Sequence, residues 1–154
     1  MVLQPADLAG PLNFTIADDW GATPDMNDPL NRIQAFTVIG RDNSSTADSL
    51  GCEALVNGAE VAGKIAMIYR GACNFSQKAM NAQNAGAIGV VIINNNGAPV
   101  GMGAGADGPQ ITIPVVMISQ GDGADLHDQV VAGNVEMMIG TIAGMFANNL
   151  AMKT

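Results

Sequence analysis

Short apolar runs alternate with helically spaced apolar positions in the middle of this chain, and the alternation predicts strand–helix units. Residues 64–69 are predicted to form a strand, and residues 88–93 a nearly all-apolar strand of the kind that is covered on both faces. Between them, one helix face is predicted to carry Phe75, Ala79, Ala82 and Ala85. The opposite, polar face is predicted to carry Lys78, Asn81 and Asn84. A strand, a helix and a strand at this spacing predict a right-handed crossover between parallel strands.

The ends of this helix have recognisable signals. Asn74 is predicted to be its N-cap, and Gln77 three residues later completes a capping-box pattern that would satisfy two backbone amides. Gly86 follows as the expected left-handed stop.

A second unit follows in outline. Residues 111–118 are predicted to form a strand, in which Pro114 favours an edge position or a bulge. Ser119 is predicted to cap a second helix that ends at Gly133. Its inner face is predicted to carry Leu126 and Val130. Residues 135–139 are predicted to form a last strand.

The remaining segments are less regular. Residues 12–16 and 34–39 alternate as short strands should, and residues 41–48 are predicted to form a long polar loop. Residues 143–154 are rich in Ala, Met and Asn and are predicted to be a tail or linker. We therefore expect one domain over residues 1–142.

Composition narrows the function classes. The chain has 154 residues, of which 48% are hydrophobic, so a sizeable core is expected, and its formal net charge is −8. Such a charge repels phosphate backbones and anionic lipid, which argues against nucleic-acid and membrane-surface partners. No apolar run reaches the roughly 18 residues that a membrane span requires. The first residues do not resemble a signal peptide, so the chain is either cytosolic or a piece of a longer protein to which Met1 was added.

The two cysteines, Cys52 and Cys73, leave two interpretations open. An even number is compatible with one disulfide, but two reduced, partly buried thiols fit the spacing equally well. There is no CxxC motif, so zinc and thioredoxin-like chemistry are not expected.

Several motifs in the same order resemble the protease-associated (PA) domain family. They are Gly63-Lys64-Ile65, Arg70-Gly71, Cys73, Phe75, Lys78, Ala82-Gln83, Ala85-Gly86-Ala87, Asn94-Asn95, Ile113-Pro114, Ile118-Ser119, and Gly123 with Leu126. Upstream, Gly51-Cys52-Glu53 and Asn57 resemble a segment of secreted bacterial relatives, with Ala54 in place of a proline. The resemblance covers roughly residues 36–140.

The resemblance implies an α/β fold with α+β character, in which a small β-sandwich or open barrel of mixed strands is flanked by two helices (a swivelling β/β/α domain). Domains of this family accompany secreted proteases, metallopeptidases and aminopeptidases and lack catalysis of their own. The resemblance also implies a Cys52–Cys73 disulfide and therefore a secreted, extracellular setting.

Catalytic and cofactor motifs are weak. The one histidine, His127, lies beside Asp125 and Asp128, and because neighbours on a helix do not face each other, no catalytic dyad is expected. The pattern Gly103-x-Gly105-x-x-Gly108 matches a dinucleotide fingerprint, but Pro109 and a strand follow where a helix is needed. No catalytic residue and no cofactor are predicted.

Calcium is a weaker alternative. One turn-rich loop contains four aspartates, which are Asp18, Asp19, Asp25 and Asp28. Hard cations prefer several oxygen ligands, but the EF-hand spacing is missing and Asp-rich turns are usually solvated. No metal site is predicted, and these four are the first candidates if one exists.

A binding site is predicted where the two parallel strands end. Arg70 follows one strand and Asn94, Asn95 and Asn96 follow its partner, and ligands of α/β sheets tend to lie beyond such carboxyl ends. Arg70 would donate to a carboxylate or backbone carbonyl, and the asparagines would pair with an extended peptide. Met102 is predicted as an adaptable apolar contact from a loop that closes over the same edge. The alternative is that Arg70 and the asparagines only satisfy turn backbone.

The sequence therefore predicts a non-catalytic PA domain that binds peptide or protein segments, or that mediates substrate access for the protease domain of a secreted parent protein. The alternative is a structural spacer domain of a secreted or cell-surface protein.

Overall fold

The computed structural model describes residues 1–43 and 49–141. In these ranges the strands are β1 (Val2–Gln4), β2 (Phe14–Ile16), β3 (Ile33–Ile39), β4 (Ile65–Tyr69), β5 (Gly89–Ile93), β6 (Val115–Ile118) and β7 (Glu136–Ile139). The helices are α1 (Gly58–Val61), α2 (Phe75–Asn84) and α3 (Gln120–Val131). The long polar loop falls partly, and the expected tail wholly, outside the described residues.

The strands form one curled, mixed sheet in the order β1-β7-β3-β4-β5-β6-β2. The four central strands, β3 to β6, run parallel, and β2, β7 and β1 pair antiparallel at the two sides. The sheet curls into a half-barrel, which confirms the predicted fold class and the parallel β4–β5 pair.

The core consists of two clusters on opposite faces of the sheet. Alternate residues of β4 divide between them, with Ile65 and Met67 in one cluster and Ala66 and Ile68 in the other. The first cluster includes Leu126 and Val130 of α3, and the second includes Ala79 and Ala82 of α2. The two helices therefore cover opposite faces, and β5 is buried along its whole length, as its apolar sequence predicted.

The prediction for Pro114 was wrong. Pro114 precedes β6 and does not interrupt it, and β6 lies inside the sheet between β5 and β2. The proline has no amide hydrogen to donate, but its carbonyl oxygen accepts from the Val90 amide at 2.9 Å. The strand can therefore begin at the next residue without losing a ladder hydrogen bond.

Sequence patterns missed β1 and α1. Three and four residues are too few to display a period, so neither element has a local signal. Predicted strand ends also differ from the observed ones by one or more residues; the strand predicted over residues 111–118 begins only at Val115.

Candidate functional site

The carboxyl ends of β4 and β5 bring two of the predicted site residues together. Tyr69 and Ile93 are paired at the ends of these strands, and the Arg70 amide donates to the Ile93 carbonyl at 2.9 Å. Immediately beyond, the Arg70 guanidinium donates from Nη1 to Oδ1 of Asn94 at 2.9 Å. The parallel pairing thus places the two side chains in contact.

Asn94 is occupied by its own turn. It is almost fully buried, and its Nδ2 donates to the carbonyl oxygens of Asn96 at 3.1 Å and Ala98 at 2.6 Å. Its Oδ1 accepts from the Asn95 amide at 2.9 Å as well as from Arg70. Asn94 therefore shapes the turn and orients Arg70, while Asn95 and Asn96 are exposed.

Arg70 lines an open groove. Its guanidinium lies over the ring of Phe75, 5.5 Å from the ring centroid, which restrains the side chain through a cation–π contact. The groove has a volume of about 440 Å³ and is lined by Arg70, Gly71, Ala72, Cys73, Asn74, Phe75, Gly103 and Gly105. Arg70 is the one charged residue in that lining, so the groove carries a positive charge in an acidic domain.

Met102 is buried rather than presented to this groove. Its side chain is 9% exposed and belongs to the core cluster that includes α2, and its carbonyl oxygen accepts from the indole nitrogen of Trp20 at 3.0 Å. The neighbouring glycines, Gly103 and Gly105, form the groove wall instead. A ligand contact by Met102 stays a prediction, and it would require the side chain to leave the core.

Cys52 and Cys73 form a disulfide. Cys73 ends a tight turn in which its amide donates to the Gly71 carbonyl at 2.8 Å. Ala72, between them, has φ of +68°, a left-handed value that is uncommon outside glycine. The disulfide joins this turn, which forms one wall of the groove, to the loop at residues 50–52.

Lys78 was predicted on the polar face of α2, and that prediction was wrong. The side chain is fully buried, and its Nζ donates to the carbonyl oxygens of Leu50 and Gly71, each at 2.7 Å. Nζ is also 3.7 Å from Sγ of Cys52. Burial lowers the pKa of Lys78 from 10.5 to about 8, and the negative charge of Asp42 opposes that shift. The ammonium thus holds both loops that the disulfide connects.

The predicted capping box at the start of α2 does not form. Asn74 is the N-cap, but its side chain accepts no hydrogen bond from the first turn. Gln77 turns to the loop at residues 50–52, where its Nε2 donates to the Cys52 carbonyl at 2.8 Å. Asn81 makes a similar bond to the Gly51 carbonyl at 2.9 Å. Tertiary contacts therefore replace the local cap.

The start of α3 agrees with its prediction. Ser119 accepts from the Asp122 amide at 2.9 Å, and Gly133 follows the helix with φ of +82°.

His127 on the same helix contacts the residue next to it, since its Nδ1 lies 3.1 Å from Oδ1 of Asp128. The Asp128 side chain is 99% exposed, so the pair is a solvated surface contact.

The four aspartates first considered for calcium do not converge. Asp25 accepts from the Asn27 amide and Asp28 from the Leu30 amide, which are local turn contacts. In residues 1–43 and 49–141, no three His, Cys, Asp or Glu side chains are arranged to hold a metal ion.

The last glycine of the pattern at residues 103–108 begins the short 3-10 helix Gly108–Gln110. An α-helix that would receive a pyrophosphate does not begin there.

Comparison with known proteins identifies the family. The family model described as PA domain matches residues 34–126, and the chain belongs to this family. Leucine aminopeptidase 2 of Trichophyton equinum is 34% identical over 121 residues, covering 78% of this chain and 22% of the relative. Human ER degradation-enhancing alpha-mannosidase-like protein 3 is 40% identical over 95 residues, covering 56% of this chain and 10% of the relative.

Solved structures show the same fold. A zinc aminopeptidase from Bacillus subtilis is 25% identical with a TM-score of 0.57, covering 83% of this chain and 27% of that one. An aminopeptidase from Aneurinibacillus has a TM-score of 0.58 at 24% identity and covers 88% of this chain. The chain thus spans between about a tenth and a third of the length of these proteins.

In the described part of the chain, no helix has the length and apolarity needed to cross a membrane.

Proposed function

We propose that this PA domain is a non-catalytic binding module that holds a peptide or protein segment in the groove beyond the carboxyl ends of β4 and β5. The observation that carries the proposal is the restrained position of the Arg70 guanidinium. It donates to Asn94 and lies over the ring of Phe75, and Arg70 is the one charged residue that lines the open groove.

The shape of the groove supports an extended ligand. One wall is the left-handed turn at Gly71 to Cys73, and the other contains Gly103 and Gly105, whose missing side chains leave backbone groups accessible. Exposed backbone on both sides suits a chain that pairs through main-chain hydrogen bonds, and Asn95 and Asn96 extend the polar surface beyond it.

The setting we propose is a secreted, extracellular parent protein with a peptidase domain. The support is the disulfide, which persists in oxidising compartments, together with the aminopeptidases among the relatives. The domain would present segments to that peptidase or limit access to it. A purely structural spacer is the competing function, and it is favoured by the use of Asn94 within its own turn.

Binding is tested by screening an array of seven-residue peptides of random sequence with the purified chain, followed by NMR titration of the 15N-labelled protein with the strongest binders. We expect shifts at Arg70, Asn95, Asn96, Gly103 and Gly105. Arg70→Gln should weaken binding about tenfold, as the loss of a charge-assisted hydrogen bond does, whereas Arg32→Gln, an exposed cation elsewhere, should not. Absence of binding would favour the spacer function, and shifts that map to another surface would refute binding in this groove.

A further inference from the structure

The first turn of α2 presents unsatisfied donors beside the groove. Among the described residues, the backbone amides of Phe75, Ser76 and Gln77 donate to no acceptor, and the Asn74 side chain does not cap them. An open helix start carries a partial positive charge and directs its amides at whatever lies before it. By itself this is a common feature of helices, so the assignment of a ligand depends on a second observation.

That second observation is the hydroxyl of Ser76. The residue is 1% exposed, and its Oγ has no hydrogen-bond partner. Oγ faces Gly105 of the groove wall, since a Cβ placed at Gly105 would lie 2.7 Å from it and 3.3 Å from Nδ2 of Asn74. Buried hydroxyls are rarely left without a partner, so the Ser76 hydroxyl beside the groove is a donor available to a polar ligand.

The electrostatics favour an anion as the ligand that would accept from this hydroxyl. Arg70 lies over the ring of Phe75, which is the first residue of α2, and both residues line the groove. No carboxylate lines the groove. A cation, a helix N-terminus and a hydroxyl donor together suit an acceptor with two negatively charged oxygens.

We propose that the start of α2, with Ser76 and Arg70, is a carboxylate subsite within the groove. This inference rests on the proposed function and deepens it, because it names the chemistry of the bound segment: an acidic side chain or a C-terminal carboxylate. One carboxylate oxygen accepts from the amides of Ser76 and Gln77 and the other from Arg70, while the Ser76 hydroxyl gains its acceptor. Gly105 is small enough to leave the subsite open; a side chain there would meet the Ser76 hydroxyl.

The subsite is tested first with sodium acetate on the wild-type chain in low-salt buffer without phosphate, and acetamide is the neutral control. We expect saturable shifts at the Ser76 and Gln77 amides with acetate alone. The Asp122 amide is an internal control, because Ser119 already occupies it. Equal shifts with acetamide, or shifts spread evenly over both helix starts, would overturn the carboxylate assignment.

Peptides from the binding screen separate this inference from the proposed function. Each acidic binder is compared with its Asp→Asn or Glu→Gln form and with its C-terminal amide, which distinguishes side-chain from terminal carboxylates. We expect one of these changes to weaken binding about tenfold. If all forms bind the groove equally, the carboxylate subsite is wrong and peptide binding stands. If acetate binds and no peptide does, the subsite stands and peptide binding is wrong.

Variants assign the effect to residues. Ser76→Ala removes a hydroxyl without a partner, so the melting temperature should be unchanged while binding of the acidic peptide falls about threefold. Arg70→Gln should reduce the preference for the acidic over the amide peptide, and Arg32→Gln should not. A preference that persists in both Ser76→Ala and Arg70→Gln would overturn the assignment.

Discussion

The two longer helices each follow a strand of the parallel sheet, but they begin in different ways. α3 has a local cap, because Ser119 accepts from the Asp122 amide. α2 has none, and its polar side chains reach instead to a loop more than 20 residues earlier in the chain. The difference indicates that α3 depends on its own sequence for its start, whereas α2 depends on the loop at residues 50–52 and leaves its first turn open to the groove.

The loop contacts of α2 form a connected set. Gln77, Lys78 and Asn81 donate to backbone carbonyls of residues 50–52, and the disulfide joins the same loop to the turn before α2. Lys78 also donates to Gly71 in that turn. The groove wall at residues 71–73 is therefore held by two bonds: the hydrogen bond from the buried Lys78 ammonium to Gly71 and the disulfide at Cys73.

The largest effect is expected from removing the ammonium. Lys78→Met keeps the aliphatic stem but removes two charge-assisted hydrogen bonds, to the carbonyls of Leu50 and Gly71, at about 2 kcal/mol for each, so the free energy of unfolding should fall by about 4 kcal/mol. Urea denaturation measures it. Lys64→Met is the matched control, because Lys64 is on the surface and its change should stay within about 0.5 kcal/mol. Equal effects from the two variants would show that Lys78 is not a buried tie.

The next effect concerns the disulfide. The double variant Cys52→Ala, Cys73→Ala should lose about 3 kcal/mol, the chain-entropy value for a closed loop of this length. Reducing agent should lower the melting temperature of the wild type and leave that of the double variant unchanged. A wild type that does not respond to full reduction would contradict a stabilising disulfide.

A smaller effect is expected from pH. The pKa of Lys78 is about 8 in the folded protein and its ordinary value is 10.5, so the unfolded chain holds this proton more tightly between those values. Stability contributed by this group therefore rises with pH through that window, by on the order of 1 kcal/mol from pH 7 to 9. The measurement is the difference in unfolding free energy between wild type and Lys78→Met as pH increases. A constant difference would mean that the folded-state pKa is not lowered.

The features that the sequence could predict are those whose contacting residues lie close together along the chain. The Ser119 cap, the left-handed Gly86 and the parallel β4–β5 pair depend on neighbours or on a short crossover, and all three were predicted. The placement of Arg70 and Asn94 at the same edge of the sheet was also predicted, because parallel strands bring their ends together, but the hydrogen bond between them was not.

The remaining features depend on partners that are distant in sequence. A helical pattern ranks Lys78 as polar and therefore exposed, and nothing within α2 reveals the two carbonyls of other loops that accept from it. Gln77 was misplaced for the same reason, because the Cys52 carbonyl competes for its side chain. The orphaned Ser76 hydroxyl has no sequence signal, since serine in a first helical turn is ordinary.

The smallest expected effect is also the most direct test of the comparison between the two helix starts. Ser119→Ala removes an observed cap and should cost about 1 kcal/mol of unfolding free energy. Asn74→Ala removes a side chain that caps nothing, so its cost should be a few tenths of a kcal/mol at most. Both values come from urea denaturation under the same conditions. If Asn74→Ala costs as much as Ser119→Ala, Asn74 caps α2 in solution, the first-turn amides are already occupied, and the carboxylate subsite loses its donors together with the contrast between the helices.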